Sequence, residues 1–475
     1  MTRTSTNLTR AIAGLMLTIF LAGCSNSLDT ESLKTVSENT ISIDSVAESY
    51  VKLVLEVGLY NSDVVDAYYG PEEWRPAKPV EGAAFPHQQL LTRASELSSK
   101  MALVDTSSNT PLQQARHNML VKQLIAIGTK INIIAGNNYS FDEEAKLLYD
   151  AQPPTFEWSH FDKLLAELDA KVPGDGPLTQ RYHAYRKAFE IPEEKLEKLF
   201  QTAINEARER TKKYIELPEN ENFVLEFVKD KPWGGYNYYQ GNAQSLIQVN
   251  TDFPIPIQRV IDLAAHEGYP GHHVYNLLLE KDLVNEKGWV EFSIVQLFSP
   301  QALIAEGSAN YGIDVAFPGD SRIQYEKNVL FPLAGLNPED ADLYYEILAL
   351  MGKLGYASNE VARGYLNGMF TREETTALVI KYTLRNPEYA ESFFGFVDNY
   401  RSYVINYNVG KDAVAAFMKG KEQLPTTLNV VGKCLVTCSV HRILLAVFLN
   451  NDYANQVEVE VDGFLIALES ELKRL

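Results

Sequence analysis

Apolar residues along most of this chain recur at steps of three and four, the spacing that puts them on one face of a helix. Leu112, Ala115, Met119, Leu120, Ile127, Ile131 and Ile134 make one such stripe, Leu196, Leu199, Phe200, Ala203 and Ala207 a second, and Pro338 to Leu354 a third. Start signals agree with them. Ser45-Val-Ala-Glu48 and Thr371-Arg-Glu-Glu374 have the capping-box pattern, the first ahead of a helix expected through Leu55, and Asn386-Pro387 puts proline in a first turn. The pattern changes in one region: Phe223 to Val228 is β-prone, Asp230 to Gly235 is turn-like, and Tyr236 to Asn250 carries Tyr, Leu, Ile and Val around a hairpin-like Gly241-Asn242. Helical spacing resumes after Pro256 with Ile257, Val260, Ile261 and Ala264. The expectation is a mainly α fold with a small β-sheet leading into one helix.

The N-terminus reads differently. Arg3 and Arg10, the apolar run Ala11 to Leu21, and the box Leu21-Ala22-Gly23-Cys24 form a bacterial lipoprotein signal over residues 1 to 23, leaving Cys24 as the lipidated first residue. The alternative is a transmembrane anchor, but this run falls short of the roughly 20 apolar residues that span a bilayer. Ser25 stands where inner-membrane retention usually involves aspartate, and that sorting convention points to the outer membrane, facing the periplasm. Residues 24 to 44 read as a solvated tether and 45 to 475 as one large domain. A net charge of -19 argues against nucleic acid and against electrostatic attachment to anionic lipid, so the lipid on Cys24 is the expected membrane contact. Cys434 and Cys438 are read as a local disulfide or two buried thiols, with a metal cluster including His441 as the less favoured alternative. There is no G-x-S-x-G elbow, P-loop or dinucleotide fingerprint.

The chemistry concentrates in His266-Glu267-Gly268-Tyr269-Pro270-Gly271-His272-His273, which holds three of the chain's 8 histidines. In H-E-x-x-H, two imidazoles one helical turn apart bind zinc and the glutamate activates water. Here the fifth position is Pro270, which cannot ligate. His272 lies about 240° round an ideal helix from His266, so a regular helix keeps them apart, whereas a turn at Pro270-Gly271 brings them together. His273 is on nearly the right face but about 10 Å further along the axis, which makes it the weaker ligand candidate. Glu306, in the small-residue run Ala305-Glu-Gly-Ser-Ala309, is the candidate third ligand, because small neighbours let another helix approach; the alternative is an ordinary surface glutamate. Asn310 and Asp314 share its helix face and are candidate partners for a ligating histidine.

The string HEGYPGHH resembles the HExxPGHH signature of domain-of-unknown-function family 885, bacterial proteins, many of them lipoproteins, that are similar to the zincin metallopeptidases. Residues 232 to 242, the stretch Val249-Asn-Thr-Asp-Phe-Pro254 and the motif Glu306-Gly-Ser-Ala-Asn-Tyr-Gly312 also look like that family. The resemblance implies a helical zincin-like fold, with the metal-site core at about residues 223 to 317, and a hydrolase of unassigned substrate. In that reading His266, His272 and Glu306 hold one zinc ion and Glu267 is the general base. Tyr403 and Tyr407, one helical turn apart, are candidate oxyanion donors, against the alternative of core or groove tyrosines. Ser245 to Asn250 becomes the edge strand on which an extended peptide docks, with Ser245, Ile247 and Val249 in contact; the alternative is a hairpin that packs on the core and binds nothing. The expected function is peptide hydrolysis, and a non-catalytic envelope lipoprotein with the same fold is the competing class.

Overall fold

In the computed structural model the described residues are 41 to 418, apart from Pro232 and Asn386. The signal, most of the tether, Cys24, Cys434, Cys438 and His441 lie outside them, as does Asn386, while the helix expected to start there runs over Pro387–Tyr400. Helices predominate, and none among the described residues is long and apolar enough to cross a membrane. The periodic stripes become helices at Pro111–Ile134, Leu196–Lys212 and Ala341–Leu366, the last running well past Leu354. Thr371 and Glu374 form the expected capping box of the Arg372–Thr383 helix. The first helix starts earlier than Ser45 suggests. Ser42 caps Ile43–Gly58, accepting a hydrogen bond from the Ser45 amide at 3.2 Å, while the Ser45 hydroxyl turns back to the Ser42 carbonyl.

Among the described residues, five short strands complete the architecture. β1 (Val65–Tyr68) and β5 (Ile294–Gln296) pair antiparallel, whereas β2 (Asn222–Val228), β3 (Gly235–Gly241) and β4 (Gln244–Asn250) form a sheet in the order β2-β4-β3. The β3-β4 hairpin turns at Asn242 and Ala243, with φ of 53° and 59°, the left-handed pair a tight hairpin requires. Both sides of β4 are therefore hydrogen-bonded, to β2 in parallel and to β3 antiparallel. This corrects the expected edge: a strand paired on both sides has no free backbone for an added peptide. Ser245, Ile247 and Val249 are buried beneath the sheet. The sequence signal, strict alternation, is the same for a central strand with one covered face and for an edge.

The largest apolar cluster joins Leu199, Phe200 and Ala203 of the Leu196–Lys212 helix to Val249 of β4 and to Ile257, Val260, Ile261 and Ala264. The sheet is thereby fixed against the segment that carries His266.

Candidate metal centre

The Gln258–Leu263 helix does not run on regularly into the histidines. It widens into a π turn over Ala264–Gly268 and stops at Tyr269, and the Tyr269-Pro270 peptide bond is cis. The chain then folds back on itself, and the Gly271 amide donates to the Ala265 carbonyl at 2.9 Å. A Cβ at Gly271 would sit 1.8 Å from the His266 carbonyl oxygen and 2.4 Å from that of Ala265, so only glycine allows this approach. His272 opens the next helix, His272–Leu278, with its Nε2 3.1 Å from His266 Nε2.

Glu306 reaches the same point from the Pro300–Ala316 helix. Its Oε2 lies 3.2 Å from His266 Nε2 and 3.8 Å from His272 Nε2, and the three candidate ligand atoms fall within 4.8 Å of one another. Small residues make this possible: Gly307 abuts Gly410 of the Ile405–Met418 helix, where a Cβ would meet the Gly410 carbonyl carbon at 2.4 Å. Asn310 Oδ1 is 3.1 Å from His266 Nδ1, and its Nδ2 donates to the Tyr407 carbonyl, which fixes the amide orientation. The His266 proton therefore belongs on Nδ1, leaving the Nε2 lone pair pointing at the cluster. Asp314 takes no part, being paired with Lys411 at 2.8 Å.

Electrostatics favour a cation at this point. Burial disfavours a charged His272, but the Glu306 hydrogen bond and charge, with Glu267 and Asp66, outweigh it and raise the imidazole to about 9. Burial likewise opposes ionisation of Glu306, and the two histidines override it, holding the carboxyl well below its usual range. Glu306 Oε2 is buried and receives no hydrogen bond of good geometry. Two imidazole nitrogens and an unsatisfied carboxylate oxygen converging on one point suit a divalent ion, which replaces the proton they otherwise share.

Tyr403 and Tyr407 differ in role. The buried Tyr403 hydroxyl donates to Glu306 Oε1 at 2.8 Å, so it orients the candidate ligand and is committed there. Tyr407 is 40% exposed, and its hydroxyl lies close enough to Glu306 and Glu267 for direct electrostatic interaction. Glu267 itself is only 5% exposed, and among the described residues its carboxylate has no hydrogen-bond or ion-pair partner. Asn237 Nδ2 holds the Glu267 backbone carbonyl at 2.7 Å, and Gly235 leaves room beside the carboxylate, since a Cβ there would lie 3.0 Å from Glu267 Oε1.

His273 points away from this cluster. Its Nδ1 is 2.8 Å from Ser245 Oγ and its Nε2 3.1 Å from Glu221 Oε1. Glu221 also accepts from Tyr269 Oη and from Arg208, 2.7 Å away. Ser245, expected to touch substrate, instead helps lock the residues flanking the Pro270-Gly271 turn. Burial works against the Glu221 charge, but His273, Arg208 and Tyr269 lower its carboxyl to about 2. Since an unfolded glutamate titrates near about 4.3, Glu221 stabilises the fold at all pH values above that and loses its contribution only as pH falls toward 2. Glu221→Gln is expected to cost about 3 kcal/mol at neutral pH, read by urea unfolding, because it leaves His273 and Tyr269 facing an uncharged group. A cost below about 1 kcal/mol shows that the network does not hold the turn.

The described residues thus define a mainly helical protein with a His-His-Glu cluster of metal-ligand type beside a free carboxylate. No family model matches the chain and no curated protein matches it, so the likeness to family 885 rests on the motifs themselves. The fold is similar to solved structures of low identity. A protein of Colwellia psychrerythraea provisionally named a lipoprotein is 15% identical with a TM-score of 0.44, over 77% of this chain and 67% of that one. The M32 carboxypeptidase of Deinococcus radiodurans R1 is 12% identical with a TM-score of 0.39, over 88% and 98%. Metallocarboxypeptidase 1 of Trypanosoma cruzi is 13% identical with a TM-score of 0.40, over 85% and 89%.

Proposed function

We propose that this chain is a zinc-dependent hydrolase that cleaves amide bonds of extended peptides, anchored through a lipid on Cys24 at the outer membrane and facing the periplasm. The observation that carries the reading is the convergence of His266 Nε2, His272 Nε2 and Glu306 Oε2 beside the unpartnered Glu267 carboxylate. Two histidines and one carboxylate match a catalytic zinc set, which keeps a position open. When bound, zinc supplies Lewis acidity toward a scissile carbonyl and toward water. Glu267 takes the proton from the attacking water on its carboxylate and delivers it to the leaving nitrogen. Tyr407 is the hydroxyl free to donate to the developing oxyanion, while Tyr403 and Asn310 hold Glu306 and His266 in place.

The reading is tested on the full-length chain purified in detergent, by metal analysis and by hydrolysis of a mixed peptide library. About one zinc per chain is expected, with cleavage that stops on chelation and returns when zinc is restored. A protein that retains zinc and leaves every peptide intact overturns the peptidase reading, and one that retains no metal overturns the site assignment.

A further inference from the structure

One carboxylate in the site has no part in the reaction just described. Asp66 is the second residue of β1, which lies against β3, and it accepts a hydrogen bond from the Tyr236 hydroxyl of β3. It is half-buried, and it sits close enough to His272, Glu306 and Glu267 to interact with their charges. The Tyr403 and Tyr407 hydroxyls lie within electrostatic range of it as well. Among the described residues no lysine or arginine pairs with it. Burial raises its carboxyl to about 7, helped by Glu306 and Glu267 against His272, as follows for a negative charge with no cation of its own.

Charge balance and surroundings then indicate what belongs there. With a divalent ion held by His266, His272 and Glu306, the charges of Glu306 and Glu267 would be balanced, and Asp66 would be the carboxylate left without a cation of its own. Beside it is a cluster of rings: Tyr236, which touches it, packs on Tyr238 with ring centroids 4.3 Å apart and on Trp233 at 5.4 Å, and Tyr238 and Tyr400 lie within electrostatic range of Asp66. A carboxylate framed by electron-rich rings is a receptor for an organic cation. Resting on the metallohydrolase reading, we propose that Asp66 selects peptides carrying an ammonium or guanidinium group close to the scissile bond, either a free amino terminus or a basic side chain.

The test measures binding, so it does not depend on turnover. Full-length Glu267→Gln protein, loaded with zinc, is titrated calorimetrically with an N-acetylated norleucine peptide, the same peptide with lysine replacing each norleucine in turn, and the peptide with a free amino terminus. At least one cationic peptide is expected to bind about ten-fold or more tightly than the neutral one, the range of a hydrogen bond to a charged group. The peptide that gains tells whether the terminus or a side chain is recognised. Asp66→Asn should bring that ratio to about one, and Tyr236→Phe, which keeps the carboxylate, should preserve a preference. Equal binding of all peptides by the Asp66 protein, or an unchanged ratio in Asp66→Asn, overturns the proposal. Failure of the parent protein to cleave peptides counts against hydrolysis and leaves this binding result standing.

Discussion

Glu267→Gln is expected to hold as much zinc as the parent chain and to lose about a thousand-fold or more in kcat. The expectation follows from how the side chain is placed. His266, His272 and Glu306 converge without it, so the metal does not need it. Glutamine has the same shape, so the space beside Gly235 stays filled and the backbone bond from Asn237 is kept. What disappears is a proton acceptor, and general-base removal costs about 10²–10⁴-fold. Metal analysis beside single-turnover kinetics measures both halves. A loss under ten-fold removes Glu267 from the chemistry, and loss of zinc makes it part of the metal site.

The second large effect is expected at Gly271. An alanine methyl would lie inside the contact distance of two backbone carbonyl oxygens, those of His266 and Ala265, and neither can swing aside as a side chain can. The turn must open, which carries His272 away from His266. Gly271→Ala is therefore expected to weaken zinc affinity about a hundred-fold or more and to destabilise the fold by about 3 kcal/mol, the upper range for overpacking. Chelator competition and urea unfolding read the two effects. Gly352→Ala is the control: its Cβ meets nothing within 4 Å, and alanine in mid-helix is neutral or slightly stabilising there. Equal behaviour of the two variants means that the tight turn is not what assembles the site.

The sequence alone carried the helices well because their signal is local. A stripe such as Leu196 to Ala207 is complete within one element, and so is the Thr371 capping box. The His266 and His272 pairing was legible for a different reason: Pro270-Gly271 can only be a break, and a break was the one way to align residues six apart. Glu306 was legible through its small neighbours, whose purpose appears as the Gly307 contact with Gly410. Strand order was not legible, since alternation in Ser245 to Asn250 says which face is covered but nothing about which strands lie alongside. Asp66 and Glu221 were missed because each acts through partners far away in the chain, and neither sits in a pattern of its own. Tyr403 and Tyr407 looked equivalent until the Glu306 hydrogen bond separated them.

The glycine contacts also separate two things that substitution can change independently. Gly271, Gly307 and Gly410 set the spacing of the backbone, and the ligand frame follows from them whatever happens at position 267. Under the proposed function, a variant that lacks the Glu267 carboxylate but keeps those three glycines is expected to remain a metal carrier without hydrolysis, whereas one bulky substitution among the glycines is expected to abolish both roles together.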